Sequence, residues 1–363
     1  MQCAVPRGAG QVIPPDMNRR RAPVESRPPL SRSPRPPGKP RSVHVLVRGD
    51  IHRPGDQASP GSLSCIDTLP ARFDLARPDD EGTRRAALAR WISDPRNPLT
   101  WRSIINRAWQ EHFGRGLVDT PNDFGRMGSL PTHPELLDWL AATFQEDGGS
   151  LKRLHRRIVT SSAYRQSSEH QPQNAAIDAD NRLVWRMNRR RLDAESVRDA
   201  ILLISGRLDR TMGGPSVRQF ALSPGVHVTP VVDYTRFDWD SPGAGRRSVY
   251  RFVFRTLPDP FLDSLDFADA SQLTATRSES ITPLQALALL NNAFILRHCE
   301  HFARLLQASG GDLNAQLRQA FDQVFGRPPT PGETRDWADY AARHGLANAC
   351  RMLLNSNEFL FVD

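Results

Sequence analysis

The chain has 363 residues, 39% hydrophobic and 24% charged, with a formal net charge of +8. That is enough apolar material for one large or two modest packed domains, but no run reaches the roughly 18 apolar residues of a transmembrane helix, and no apolar stretch of the signal-peptide kind is visible at the N-terminus. The charge is local: residues 1–42 hold nine basic and two acidic side chains, seven of the eight net charges, so the body is near neutral and nucleic-acid binding driven by its overall field loses most of its support.

Residues 1–42 are rich in Pro and Arg and are expected to be disordered, because they cannot bury enough surface to offset ordering entropy. A strand and connecting segment follow (43–82), with the strand at VHVLVRG, Val43 to Gly49. From Thr83 the period turns helical, with Leu88, Trp91 and Ile92 on one face. Asn97-Pro98 opens a second helix bearing Trp101, Ile105, Ala108, Trp109 and His112. Thr132-His133-Pro134-Glu135 fits a capping box before a third, with Leu136, Leu137, Leu140 and Phe144 inward. Ser150 caps a fourth, with Leu151, Leu154 and Ile158 on its buried face. A fifth runs from Asp193 through Val197, Ile201 and Ile204 to Gly206.

Residues 207–281 are rich in Gly, Pro, Asp and Ser and predict long loops with a small sheet at VHVTPVV (226–232) and SVYRFVF (248–254), with Val43–Val47 as a candidate third strand. Residues 282–363 return to helix. One apolar helix starts at Thr282-Pro283, and Leu313–Phe325, Pro331–Ala342 and Leu346–Asn357 follow; Thr330 and Glu333 form a second capping box. The fold class is therefore mainly α, a multi-helix bundle over 83–206 and 282–363 with a small β element and a loop-rich middle.

The glycine-rich stretch FGRGLVDTPNDFGRMG (113–128) invites comparison with phosphate loops. Gly114 and Gly116 supply two glycines of G-x-G-x-x-G, but Asp119 stands at the third and a helix precedes them, so the dinucleotide geometry is absent. The stretch reads as a helix-to-helix corner: Gly114 ends a helix, Pro121-Asn122-Asp123 turns, Leu117, Val118 and Phe124 face the core, and Arg115, Asp119, Asp123 and Arg126 pair to lock it.

His298 and His301 are three apart, unlike the i, i+4 pair of zincins, and His298 sits between Phe294 and Phe302, so it reads as a packed core histidine; no metal site is predicted. Cys3, Cys65, Cys299 and Cys350 form no C-x-x-C pair. Buried free thiols are expected, with a Cys299–Cys350 disulfide the alternative. Arg182, Arg186, Arg189, Arg190 and Arg191 precede Asp193, Glu195 and Asp199, which suggests pairing within one helix rather than phosphate contacts. Asp259, Asp263, Asp266 and Asp269 alternate with apolar residues as an amphipathic turn with a wet acidic face. If a ligand site exists, it is expected from Asp238, Asp240, Asp263 and Asp266 beside the aromatic loop Tyr234–Asp240, a combination suited to sugars.

Six phrases point to one family: ARWISDPRNPLTWRSIINRAWQEHFGRGLVDTPNDFGRMGSLPTHPELLDWLA (89–141), LHRRIVTSSAYRQSS (154–168), NRLVWRMNRRRLDAESVRDAIL (181–202), SVYRFVFR (248–255), TPLQALALLN (282–291) and LLNSNEFLFVD (353–363). They closely resemble the planctomycete secreted domain family, a domain of unknown function at the C-terminus of large proteins that also carry cytochrome-c-like domains. HVLVRGDIHRPGD (44–56) resembles the stretch preceding that domain. The resemblance implies an exported, extracytoplasmic protein, with haem confined to a separate upstream domain and no cofactor in this chain. Lacking those domains, the haem motif and an export signal, the chain reads as a fragment or one with a displaced start. The expected role is non-catalytic binding of polysaccharide or of an envelope partner. The alternative is a glycan hydrolase using carboxylates of the 234–269 loops, and nucleic-acid binding through the Arg-rich tail ranks third.

Overall fold

The computed structural model describes residues 40–225, 230–255 and 257–362. The expected disorder of the tail and the residues 226–229 of the expected strand VHVTPVV, like Cys3, lie outside the described residues. The chain divides at Asn97 and Pro98 into two compact units. In the first, β1 (His44–Leu46) pairs antiparallel with β2 (Pro54–Gln57), so the valine-rich strand closes a local hairpin instead of joining the later sheet. Helix α1 (Glu81–Ile92) is capped by Asp80, whose carboxylate accepts from Thr83 N. No residue of α1 is buried, and Leu88 and Ile92 are 42% and 45% exposed, so the expected apolar face is not covered. Three large apolar residues among Arg84, Arg85 and Arg90 make too narrow a stripe.

The second unit has two cores. Around the first pack α2 (Pro98–Phe113), α3 (Pro134–Glu146) and α4 (Leu151–Val159), with Ile105, Phe113, Leu137, Leu140, Leu154 and Ile158 at its centre. Leu151 is 53% exposed, outside the face expected for it. The capping box before α3 does not form: His133 is the N-cap and makes no side-chain cap bond, because Thr132 turns back toward the Leu117 carbonyl. A short α5 (Pro172–Ile177) leads to β3 (Arg190–Arg191).

The second core gathers α6 (Ala194–Ile204), α7 (Pro260–Ser264), α8 (Pro283–Asn291), α9 (Ala293–Ala308), α10 (Leu313–Phe325), α11 (Pro331–His344), α12 (Leu346–Leu354) and α13 (Asn357–Leu360). Ile201, Leu202, Phe294, Phe302, Phe321 and Leu353 are all but sealed from solvent there; each such side chain contributes about 1.5–3 kcal/mol through burial. The single helix expected from Pro283 is two. Asn292 is extended (ψ 137°) and its side chain caps α9 by accepting from Phe294 N, an alternative to helical bonding that short amides offer. The expected helix to Asn357 ends at Leu354, and Ser356 starts α13. Strand β6 (Phe361–Val362) then pairs with β3, tying the chain's end to the segment between the cores. In the loop-rich middle, β4 (Ala221–Ser223) pairs with β5 (Val231–Asp233), whereas 248–250 form a 3-10 turn, not a strand.

The glycine-rich corner is structural. Gly114 ends α2 at φ +80°. Leu117 and Val118 are buried and Phe124 packs partly against the first core. The main lock is a residue the sequence did not single out: buried Asn106 donates to Val118 O (2.9 Å) and accepts from Val118 N (2.8 Å). Gly116 leaves room for it, since a Cβ would sit 2.8 Å from the Asn106 amide. Arg115 pairs with Asp119, but Asp123 instead accepts from Gly125 N (2.8 Å), and no ion pair holds Arg126 among the described residues. Asn106→Ala strands both polar groups of Val118 and is expected to cost about 1–3 kcal/mol, read as a lower urea midpoint with an unchanged m-value.

Candidate functional site

A cleft of about 380 Å³ opens between the 251–255 segment, α7 and the turn 267–271. Asp259 caps α7, accepting from Phe261 N (2.9 Å), while its other oxygen binds Arg251, whose Nε donates to Gln219 (2.7 Å). Arg251 is 7% exposed and Asp259 14%, so this pair is part of the wall. Tyr234 donates its hydroxyl to Leu257 O (2.7 Å), which fixes the ring at the cleft edge, and burial raises its pKa above the ordinary tyrosine value. Phe252, Phe254 and Phe267 supply apolar surface. Asp269 is committed to Ser271 (2.6 and 2.8 Å) and Gln272 (2.9 Å), and the Ser271 hydrogen bonds hold its carboxyl below the usual range. Asp263 differs: it is exposed, lines the cleft, and its carboxylate has no partner among the described residues.

The four carboxylates expected to form one site are not brought together. Asp238 accepts from Asp240 N (2.9 Å) and only shapes its turn. Asp240 binds Arg297 and His301 (2.7 Å) on α9, and the Arg297 hydrogen bonds pull its carboxyl down to about 2. Asp266 stands at φ +58°, where its carboxylate accepts from Arg191 (2.7 Å), Ser280 N (2.8 Å) and Gln285 (3.0 Å). Burial opposes ionisation of Asp266, but these donors together keep its carboxyl below the ordinary value. Of these four, Asp263 alone lines the cleft. The reason is local: α7 ends at Ser264, so the acid spacing does not continue on one helical face.

The arginine cluster also departs from expectation. Arg190 and Arg191 lie in β3, Asp193 caps α6, Glu195 binds Arg277 (2.6 Å) and Asp199 binds Ser248 (2.7 Å), so the intrahelical pairs do not form. His298 is 1% exposed and its Nδ1 lies 2.9 Å from Ser205 Oγ, the packed core histidine that the spacing predicts. Cys299 and Cys350 are buried free thiols and Cys65 an exposed one; burial pushes Cys299 up to about 12, so it is inert near neutrality. Among the described residues, no three His, Cys, Asp or Glu side chains converge as a metal site, and no helix is long and apolar enough to cross a membrane.

Comparison with known proteins gives one family. The family model described as PSD1, Protein of unknown function (DUF1553), matches residues 84–341. No curated protein and no solved structure matches the chain. The matched segment runs from α1 into α11 and includes the corner, β3, α6 and the whole cleft, well over half of the sequence. The chain belongs to the PSD1 family (DUF1553), a family of unknown function.

Proposed function

We propose that the chain is a non-catalytic glycan-binding module of an exported, multidomain envelope protein, serving a polysaccharide-processing or electron-transfer assembly whose haem sits in another domain. The observation that carries the binding part is the Asp263 carboxylate, without a partner among the described residues, in a cleft lined by Tyr234, Phe252, Phe254 and Phe267. Aromatic faces accept the C–H face of a sugar ring, and a free carboxylate accepts its hydroxyl hydrogens. A glycosidase needs one carboxyl held protonated near neutral pH; of the 234–269 acids, Asp240, Asp266 and Asp269 are instead held below the ordinary carboxylate range, the opposite direction. The export and assembly context rests on the sequence phrases alone.

Calorimetric titration of the purified chain against a panel of soluble polysaccharides tests the reading. Saturable binding is expected, weakened about tenfold or more by Asp263→Ala through loss of a charge-assisted hydrogen bond. Release of reducing ends would replace it with the hydrolase, and absence of any binding would remove it.

A further inference from the structure

The aromatic wall of the cleft beside α7 is braced from within. Phe220, 7% exposed, packs edge-on against Tyr234 (5.4 Å between ring centres), Phe252 (5.9 Å) and Phe254 (6.1 Å). One buried ring thus fixes three of the four aromatic rings that line the cleft. The wall exists before any ligand arrives, so little ordering cost is left for binding to offset. Phe252 also sits against the Arg218 guanidinium, 5.3 Å from its ring centre, so a cation is already accepted by this group of rings.

Five charged side chains line the same cleft: Arg251, Arg255, Asp259, Asp263 and Asp269. Four of them offset one another. Arg251 and Asp259 are bound together, 7% and 14% exposed. Asp269 accepts from Ser271 and Gln272, and Arg255, which donates to Ser271 O (3.4 Å), adds its charge to the same turn. Asp263 is left over: it is exposed, and its carboxylate has no ion pair or hydrogen bond among the described residues. One uncompensated negative charge therefore stands beside preformed aromatic faces.

That combination selects among ligand classes. An acidic saccharide, a uronate or a sulfate ester, meets a carboxylate and finds Arg251 already spent. A bare divalent cation needs several ligands, and no three His, Cys, Asp or Glu side chains converge among the described residues. A neutral sugar leaves the charge unanswered. An ammonium group on a sugar frame answers both features: it donates a charge-assisted hydrogen bond to the carboxylate, and its charge is attracted to the ring faces. We propose that this cleft is selective for an amine-bearing saccharide, its nitrogen free rather than acylated, held by Asp263 against the aromatic wall. It rests on the glycan reading of the same cleft and adds the charge of the sugar.

Three β-1,4-linked hexamers that differ only in the C2 substituent test it by calorimetry on the full chain at low salt and about pH 6, where an amine is charged. The glucosamine hexamer carries an ammonium, the N-acetylglucosamine hexamer an amide and cellohexaose a hydroxyl. The glucosamine hexamer is expected to bind about tenfold or more tighter than either of the others, and sodium chloride at about 0.5 M should remove most of that preference. Asp263→Asn keeps the shape and a hydrogen-bonding oxygen but not the charge. It should bring the glucosamine hexamer down to the level of cellohexaose and leave cellohexaose itself within about twofold. Asp263→Glu should keep the preference, and it still reports if the asparagine variant folds poorly by circular dichroism. Equal binding of the three hexamers, or a preference that Asp263→Asn leaves unchanged, overturns the amine assignment and leaves the glycan reading standing. Binding of another polysaccharide but of no hexamer does the same, whereas absence of all binding removes both. Binding of Nα-acetyl-lysine amide with no hexamer bound moves the cleft to a peptide amine and overturns the saccharide.

Discussion

Arg198→Ala is expected to lower the stability of the larger unit by about 3–5 kcal/mol, the usual cost of stripping a buried charge from its partners. Arg198 is on α6, 2% exposed, among the largest fully buried side chains of the fold. Its guanidinium donates to Ala244 O (2.9 Å), Arg246 O (2.9 Å), Gln219 Oε1 (3.1 Å) and Ser248 Oγ (3.3 Å), and it reaches Asp199 (3.3 Å). All but the last belong to the loop-rich middle. The one side chain therefore fastens segments around 219 and 244–248 onto a core helix, and its cationic face lies 5.5 Å from the Phe294 ring. Burial, with the nearby charge of Arg251, lowers its pKa to about 9, which still leaves it charged at pH 7. Truncation strands the Arg246 carbonyl and strips one donor each from Ala244 O and Gln219 Oε1, which keep only Gln219 Nε2 (3.3 Å) and Arg251 Nε (2.7 Å). The expected fall in melting temperature is on the order of 10 °C for a unit of this size, with new protease sensitivity confined to 207–281. Arg198→Met restores volume without donors, so recovery to wild-type stability in that variant would show packing, not hydrogen bonding, to be the cause. A melting temperature within about 2 °C of wild type for the alanine variant would refute the role altogether.

Arg198 also shows where the sequence is legible and where it is not. Pro98, Asp193 and Gly206, Thr282 and the Thr330–Glu333 box mark helix ends through contacts within three or four residues, and the structure uses every one of them. A signal for Arg198 was present too, since it lies three and four residues before Ile201 and Leu202, on the buried stripe of α6. Its charge disguised it, because its partners come 21 to 50 residues later in a stretch with almost no periodicity. The candidate site is opaque for the same reason. Asp263 and Asp266 look equivalent as a pair three apart. What separates them is that α7 stops between them and Asp266 turns to meet Arg191 and Ser280 from elsewhere in the chain. Local codes give the helices; the cleft depends on which loop side chains are already spoken for.

The second large effect is acid lability through His298. Its Nδ1 lies 2.9 Å from Ser205 Oγ, and that hydroxyl reaches Leu202 O (3.2 Å), so the network assigns the ring proton to Nδ1 and leaves Nε2 bare. Nε2 is buried without a partner among the described residues, and protonating it would create a buried N–H⁺ with no acceptor. Burial first, then the positive neighbours His301, Arg198 and Arg207, push His298 down to about 3, with Asp240 opposing weakly. The unfolded chain takes up this proton near pH 6.5. Between about 6.5 and 3 the unfolded state therefore binds a proton that the folded state refuses, and stability falls as pH is lowered. At pH 4 the loss is about 3 kcal/mol; above 6.5 both states are neutral and the term vanishes. The clamps at Asp240 and Glu333, both held at about 2, act in a different window: they persist until pH drops below their ordinary values and fail as it approaches 2. Urea midpoints at pH 7 and pH 4 separate the two. In His298→Asn the difference between these pH values should shrink by about 3 kcal/mol, because no titrating ring remains in the core. An unchanged difference would assign the acid sensitivity to the carboxylate clamps and leave His298 a spectator.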